Sequence, residues 1–150
     1  KSTDGELFSD VTKLDVPGKP NEATLRFRKD GTMVALVRRD GGNQHGWVGS
    51  AKSPYTDWKW TDAGHRLGGP EFLVLPTGDM WAGTRLHTGK ETKTGVGRLT
   101  LTGLEPALTL PSGGDTSYPG MVWHDNLLWM SYYSSHEGKA KIYIAKVRFK

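Results

Sequence analysis

The chain has no cysteine. A disulfide framework and any thiolate-held metal are therefore excluded, though the compartment is not fixed by this. No apolar run approaches the roughly 18 residues that a membrane-spanning helix needs. Basic residues stand singly, without the blocks expected of a nucleic-acid binder. No phosphate-cradling GxxxxGK[ST] loop is present, and GGPEF and SGGD lack its context. None of the five histidines (His45, His65, His87, His124, His136) sits in an HExxH or similar ligand spacing. We therefore expect no metal, no cofactor, no nucleic-acid partner and no membrane insertion.

Glycine is plentiful instead, with 20 in 150 residues, and 35% of the chain is hydrophobic. That balance suits one all-β domain rich in turns. The formal charge of +4 favours an anionic partner.

An internal repeat organises the chain. NEATLRFRKDGTMVALVRRD from Asn21, PEFLVLPTGDMWAGTRLH from Pro70 and YPGMVWHDNLLWMSYYSS from Tyr118 each read as strand, tight turn, strand. Aligning Gly31, Gly78 and Asn126 superimposes Met33, Met80 and Leu128, and also Val34, Trp81 and Trp129. Arg38, Arg85 and Tyr133 then follow at one common distance past the turn. A third strand follows each pair (HGWVGSAK, TGVGRLTL, KAKIYIAKVRF) and a fourth follows twice (DWKWTDAG, EPALTLPSGG). ELFSDVTKLDV near the N-terminus resembles an orphan fourth strand.

Four-stranded units of this length are propeller blades. The repeat predicts an all-β propeller of about three antiparallel blades, half of a six-bladed ring. The segments are 21–68, 69–116, and 117–150 completed by 1–20, within a single unit spanning 1–150. A plain β-sandwich is the alternative. Three blades are fewer than a propeller usually has, so the end faces should be covered, most simply by self-association into a homodimer or by a second half-propeller. Trp47, Trp81, Trp123 and Trp129 fall in strands and are expected in the core between blades, and Trp58 and Trp60 on an outer strand.

The residues in hand resemble the sialidase-like, BNR/Asp-box six-bladed propellers. Ser2-Thr3-Asp4-Gly5 followed by Phe8 looks like a shifted Asp box, and SAKSPYTDW (Ser50 to Trp58) looks like a decayed one. The resemblance runs over the whole chain. It implies a glycoside hydrolase in which arginines hold a substrate carboxylate, a tyrosine is the nucleophile and a glutamate polarises it. On that pattern Glu22 and Tyr118 are the catalytic pair. Arg38, with Arg39 adjacent, and Arg85, with Arg98 as competitor, are substrate-binding arginines. The family's first arginine and its acid/base aspartate belong to earlier blades that this chain lacks, and Pro119 stands where a serine commonly follows the tyrosine.

The chemistry is consistent with these residue types. Innermost strands line a propeller's channel, so Glu22, Glu71 and Tyr118 would converge on one mouth. Arginine grips a carboxylate through two parallel hydrogen bonds. A phenol with a pKa near 10 needs a carboxylate to take its proton, and when neutral it does not repel an anionic sugar. Glu71 reads either as a second acid or substrate contact, or as the partner of a buried arginine. Asp115 reads as an Asx-turn residue. His65-Arg66 and His87 could assist anion binding at the mouth. Two functions follow: an exo-sialidase-like glycoside hydrolase, or half of one, acting on an acidic carbohydrate; or a non-catalytic half-propeller that binds glycans or assembles. An acidic extracellular glycan would place the protein outside the cytoplasm, secreted or periplasmic, although no signal-peptide pattern occurs in the chain.

Overall fold

The computed structural model describes residues 1–149, and they fold around repeated hairpins. In the first, β1 (Pro20–Phe27) turns into β2 (Met33–Arg39). The second joins β5 (Glu71–Val74) to β6 (Met80–Thr88). The two turns are closed by the same bonds, Arg28 N to Thr32 O (2.9 Å) with Gly31 N to Arg28 O (3.0 Å), and Leu75 N to Asp79 O with Gly78 N to Leu75 O (both 2.8 Å). Gly31 and Gly78 have φ of 76° and 93°, which an L side chain resists. The third hairpin, β9 (Thr116–His124) to β10 (Leu127–Ser134), turns on Asp125 and Asn126, with φ of 50° and 56°. Two left-handed residues in a row make the mirror-type turn that matches strand twist.

Each hairpin extends into an antiparallel sheet. The first sheet adds β3 (His45–Ala51) and β4 (Lys59–Arg66), and the second adds β7 (Glu91–Thr100) and β8 (Gly103–Thr109). The third adds only β11 (Lys141–Val147). The strands meander in order within each sheet, as blades do, and no helix occurs among the described residues. The chain is a partial β-propeller of three blades in an open arc.

The third blade has three strands, which corrects one expectation. Residues 1–19 form no strand. Leu14 and Val16 pack instead against Ala35, Val37 and Trp47 on the first blade. The Ser2–Gly5 stretch does form a compact turn: the Asp4 carboxylate accepts from Glu6 N and Leu7 N, and Gly5 N donates to Ser2 Oγ. The backbone amides of Leu7 and Glu6 hold the Asp4 carboxyl down to about 2. Phe8 beside this turn is exposed.

Packing follows strand alternation. Val34, Leu36 and Val48 of the first blade meet Phe72, Ala82 and Leu86 of the second. Val96 of the second blade meets Leu128, Met130 and Tyr132 of the third, with Trp81 and Trp123 stacked on Phe149. Trp47, Trp58 and Trp60 cover the outer face of the first blade rather than an inter-blade seam. Trp129, paired across the sheet with Val122 and Lys146, lies on the outer face of the third blade, where the Lys146 ammonium sits 4.3 Å from its ring. Both ends of the arc carry apolar side chains in solvent: Leu25 and Phe27 at one, Val122, Ile142 and Ile144 at the other.

Candidate functional site

The inner strands β1, β5 and β9 begin at one end of the arc, and their leading residues meet there. Glu22 stands opposite Arg38 in the first blade. Tyr118 comes from the third blade, where the β9–β10 register slips between Ser131 and Tyr133. That bulge leaves Tyr118 out of the ladder, and its φ of 47° is a left-handed conformation that costs a tyrosine energy. The result is a side chain aimed along the mouth rather than across the sheet. Its hydroxyl donates to Glu22 Oε1 at 2.8 Å, spanning two blade seams.

Glu22 is held from three sides. Oε1 also accepts from Arg38 Nη1 at 2.9 Å, and Oε2 accepts from Gly69 N at 2.8 Å. Gly69 is the one place where this cluster demands glycine. Its φ is 55°, and a Cβ there would lie 2.6 Å from Ser117 Oγ and 2.9 Å from the Tyr118 ring. Arg38 reaches back to Asp40 Oδ1 through Nε (3.2 Å) and Nη2 (3.1 Å). Burial alone would lower the Arg38 pKa, but Glu22 and Asp40 together hold it above its ordinary value.

Arg85 occupies the equivalent position in the second blade. Its Nε donates to Thr116 O (2.6 Å), and its Nη2 donates to Asp115 Oδ1 (2.9 Å) and to Tyr133 Oη (3.0 Å). Tyr133 Oη donates to the same Asp115 oxygen at 2.6 Å, and its ring stacks on Tyr118 with centroids 6.1 Å apart. Burial raises the Tyr133 phenol, and the bond to Asp115 adds to this despite Arg85. The Tyr118 phenol is raised chiefly by its hydrogen bond to Glu22 and further by the Glu22 charge. Tyr118 is therefore a neutral phenol poised on a carboxylate at neutral pH, not a phenolate. Glu22→Gln should remove both causes. A site-labelled ¹³Cζ-tyrosine titration is expected to show the Tyr118 pKa falling towards about 10, and an unchanged pKa would break the pairing.

The structure thus brings Glu22, Arg38, Arg85 and Tyr118 together. Glu71 lines the same groove of about 360 Å³ as Glu22 and Tyr118. Its carboxylate, however, is taken by Arg26 Nη2 at 2.5 Å, which makes it an ion pair between blades. The turns align at an offset of 47 (Gly31 to Gly78), so the true equivalent of Glu22 is Gly69, and Glu71 corresponds to Thr24. Arg39 is not brought to the mouth. One residue along a strand reverses the face, and Arg39 is buried, donating to His45 O, Pro17 O and Asn43 Oδ1 with its guanidinium over Trp47. Arg98, the competitor to Arg85, pairs with Asp79 at the opposite end of the blade. Asp115 and Tyr133 join the site unforeseen. For Tyr133 the signal was present in its alignment with Arg38 and Arg85. For Asp115, turn chemistry masked a carboxylate that points at Arg85. Among the described residues, no group of three or more histidines and carboxylates could hold a metal ion, and no helix is long and apolar enough to cross a membrane.

Comparison with known proteins agrees with this architecture. No family model matches the sequence, and no curated protein matches it significantly. Solved structures do match in fold. A GH43B protein from a xyloglucan PUL of Bacteroides ovatus aligns with TM-score 0.61 at 17% identity, over 88% of this chain and 27% of that one. An exo-β-1,3-galactanase from Phanerochaete chrysosporium, solved with β-1,3-galactotriose, gives 0.60 at 14% identity over 92% and 37%. A xylan β-1,4-xylosidase from Bacillus halodurans gives 0.57 at 12% identity over 88% and 29%. The fold is that of β-propeller glycosidases, and this chain spans about a third of the length of those neighbours. None of them is a sialidase by name, so the likeness reaches the propeller and not the Asp-box superfamily.

Proposed function

We propose that the chain carries the reacting half of a sialidase-like glycoside hydrolase acting on an acidic glycan at the mouth of the arc. The observation that carries the reading is the Tyr118 hydroxyl donating to Glu22 across two blades. In that geometry the tyrosine oxygen attacks the anomeric carbon as its proton passes to Glu22, and the glycosidic C–O bond breaks with the leaving oxygen taking a proton from water. Water then attacks the anomeric carbon of the resulting aryl glycoside; as that C–O bond breaks, Glu22 returns its proton to the tyrosine oxygen, and the proton lost by the attacking water neutralises the hydroxide left by the first step. A raised phenol pKa requires this concerted transfer, because free phenolate is scarce at neutral pH. Arg38 and Arg85 fix the two ends of the network and orient Glu22 and Tyr133. The test is a screen of the chain against α-sialosides, uronides and neutral glycosides such as galactosides and xylosides. Release of sugar from acidic substrates supports the reading, and cleavage confined to neutral ones overturns it.

A second reading is a non-catalytic glycan-binding module that pairs with another copy of itself. It is favoured by the open ends of the arc, where Ile142 and Ile144 are 75% and 73% exposed. Side chains of this kind normally find a partner surface, and the inner faces of the same blades already pack on neighbours. Sedimentation equilibrium is expected to give twice the chain mass, with Ile144→Lys returning the protein to monomer. A monomeric parent chain would rule out self-pairing.

A further inference from the structure

We propose that a cavity at the end of the first blade opposite the mouth binds a carboxylated sugar unit, such as a uronate, with Arg28 as the carboxylate anchor. The choice of an acidic sugar rests on the proposed function, but the site is separate from Glu22 and Tyr118. The cavity holds about 580 Å³, more than the mouth groove, and falls in the size range of ligand pockets. Two departures of the first blade from the repeat build it. Arg28 and Leu75 close equivalent turns, Arg28 N donating to Thr32 O and Leu75 N to Asp79 O. Leu75 is buried there, whereas an arginine stands half-buried in the first blade. The second departure is a longer loop. Leu101 and Thr102 alone join β7 to β8, but residues 52–58 join β3 to β4 and wall the cavity. An added loop on a repeated scaffold is where binding residues concentrate.

That loop is tied down over the Arg28 turn. Tyr55 N donates to Lys52 O at 2.7 Å, and Trp58 Nε1 donates to Tyr55 O at 2.9 Å. Tyr55 Oη reaches across to Gly31 O at 3.3 Å, and its ring meets Phe27 edge-on with centroids 5.5 Å apart. Lys52 Nζ lies 3.0 Å from Asp30 Oδ2 and donates to Asp30 O at 2.9 Å, so those two charges satisfy each other. The Arg28 guanidinium lines the same cavity, yet it makes no ion pair and no hydrogen bond among the described residues. A half-buried guanidinium with its donors unused is a planar fork waiting for a carboxylate. The lining carries three cationic side chains (Arg28, Lys52, Lys59) and two carboxylates (Asp30, Asp57), an excess of one positive charge that a single carboxylate would balance. Ser50 and Thr56 add hydroxyls and Leu101 an apolar patch, which suit the polar edge and C–H face of a sugar ring.

The test is NMR on the full chain, following the Arg28 Nε–H and Thr56 amide signals during titration with sodium glucuronate, glucose and sodium sulfate at matched ionic strength. Glucuronate is expected to shift both signals and to bind more tightly than the other two, because it alone engages the guanidinium and the hydroxyls together. Arg28→Leu installs the residue of the equivalent turn, so the fold should persist. It should weaken glucuronate by about tenfold or more, read at Thr56, and Arg28→Lys should recover part of the loss. No shift with glucuronate, or an unchanged affinity in Arg28→Leu, overturns the site. Sulfate binding as tightly as glucuronate overturns the assignment to a sugar. The ¹³Cζ signal of Tyr118 reads the mouth in the same titration, and Arg28→Leu should leave its response unchanged. A response at Tyr118 without one at Arg28 removes this site and spares the mouth. A response at Arg28 without one at Tyr118 sinks the acidic-glycan reading of the mouth and leaves this site standing.

Discussion

Tyr118→Phe is expected to lower kcat on an acidic glycoside by about 10³-fold or more, with the dissociation constant changed by no more than about twofold. The substitution removes one oxygen and little else. The ring keeps its stack on Tyr133, and Glu22 keeps Arg38 Nη1 and Gly69 N as donors, so no carboxylate is left buried without a partner. The bulge and Pro119 that aim the ring are backbone features and are untouched. Steady-state kinetics together with calorimetric titration separate the two effects. Turnover retained at the parent rate would remove Tyr118 from the chemistry and leave the binding-module reading in possession of the site. Loss of affinity along with turnover would mean that the hydroxyl contacts the ligand in its ground state.

Phe72→Ala is expected to destabilise the protein by about 3–5 kcal/mol, which corresponds to a fall in Tm of roughly 10 °C for a domain of this size. Phe72 is fully buried at the seam of the first and second blades, among Leu36, Ala82 and Leu67. The cavity cannot collapse easily, because both walls are hydrogen-bonded sheets whose strands are fixed in register. The seam also sets the distance between Glu22 and Gly69, so glycan affinity should fall before the fold is lost. Chemical denaturation with a binding titration alongside checks both. A loss below about 1 kcal/mol would mean that the blades slide to fill the gap.

Much of the fold was legible because it repeats. The offset of 47 between Gly31 and Gly78 marks two turns with the same hydrogen bonds, and the positive φ at Gly31, Gly78 and Asn126 is what those residue types predict. ELFSDVTKLDV has strand-like alternation but forms no strand, because alternation alone does not supply a pairing partner. Only packing could decide that Leu14 and Val16 belong on the first blade.

The site divides along similar lines. Glu22 was legible as the residue at the head of an inner strand, and Arg38 through its place in the repeat beside Arg85 and Tyr133; that the two stand opposite each other came from the register. Arg38 and Arg39 differ only in which way a strand alternates, and one faces the mouth while the other is buried under Trp47. The sequence by itself determined the hairpins, their spacing and the residue types at the strand ends, because turn chemistry and period-two patterning are local. The tertiary structure alone decided that Tyr118 leaves its ladder to meet Glu22, a residue 96 positions away, and that Asp115 and Tyr133 close on Arg85. Those contacts depend on a bulge and on the angle between blades, which no short stretch of chain encodes.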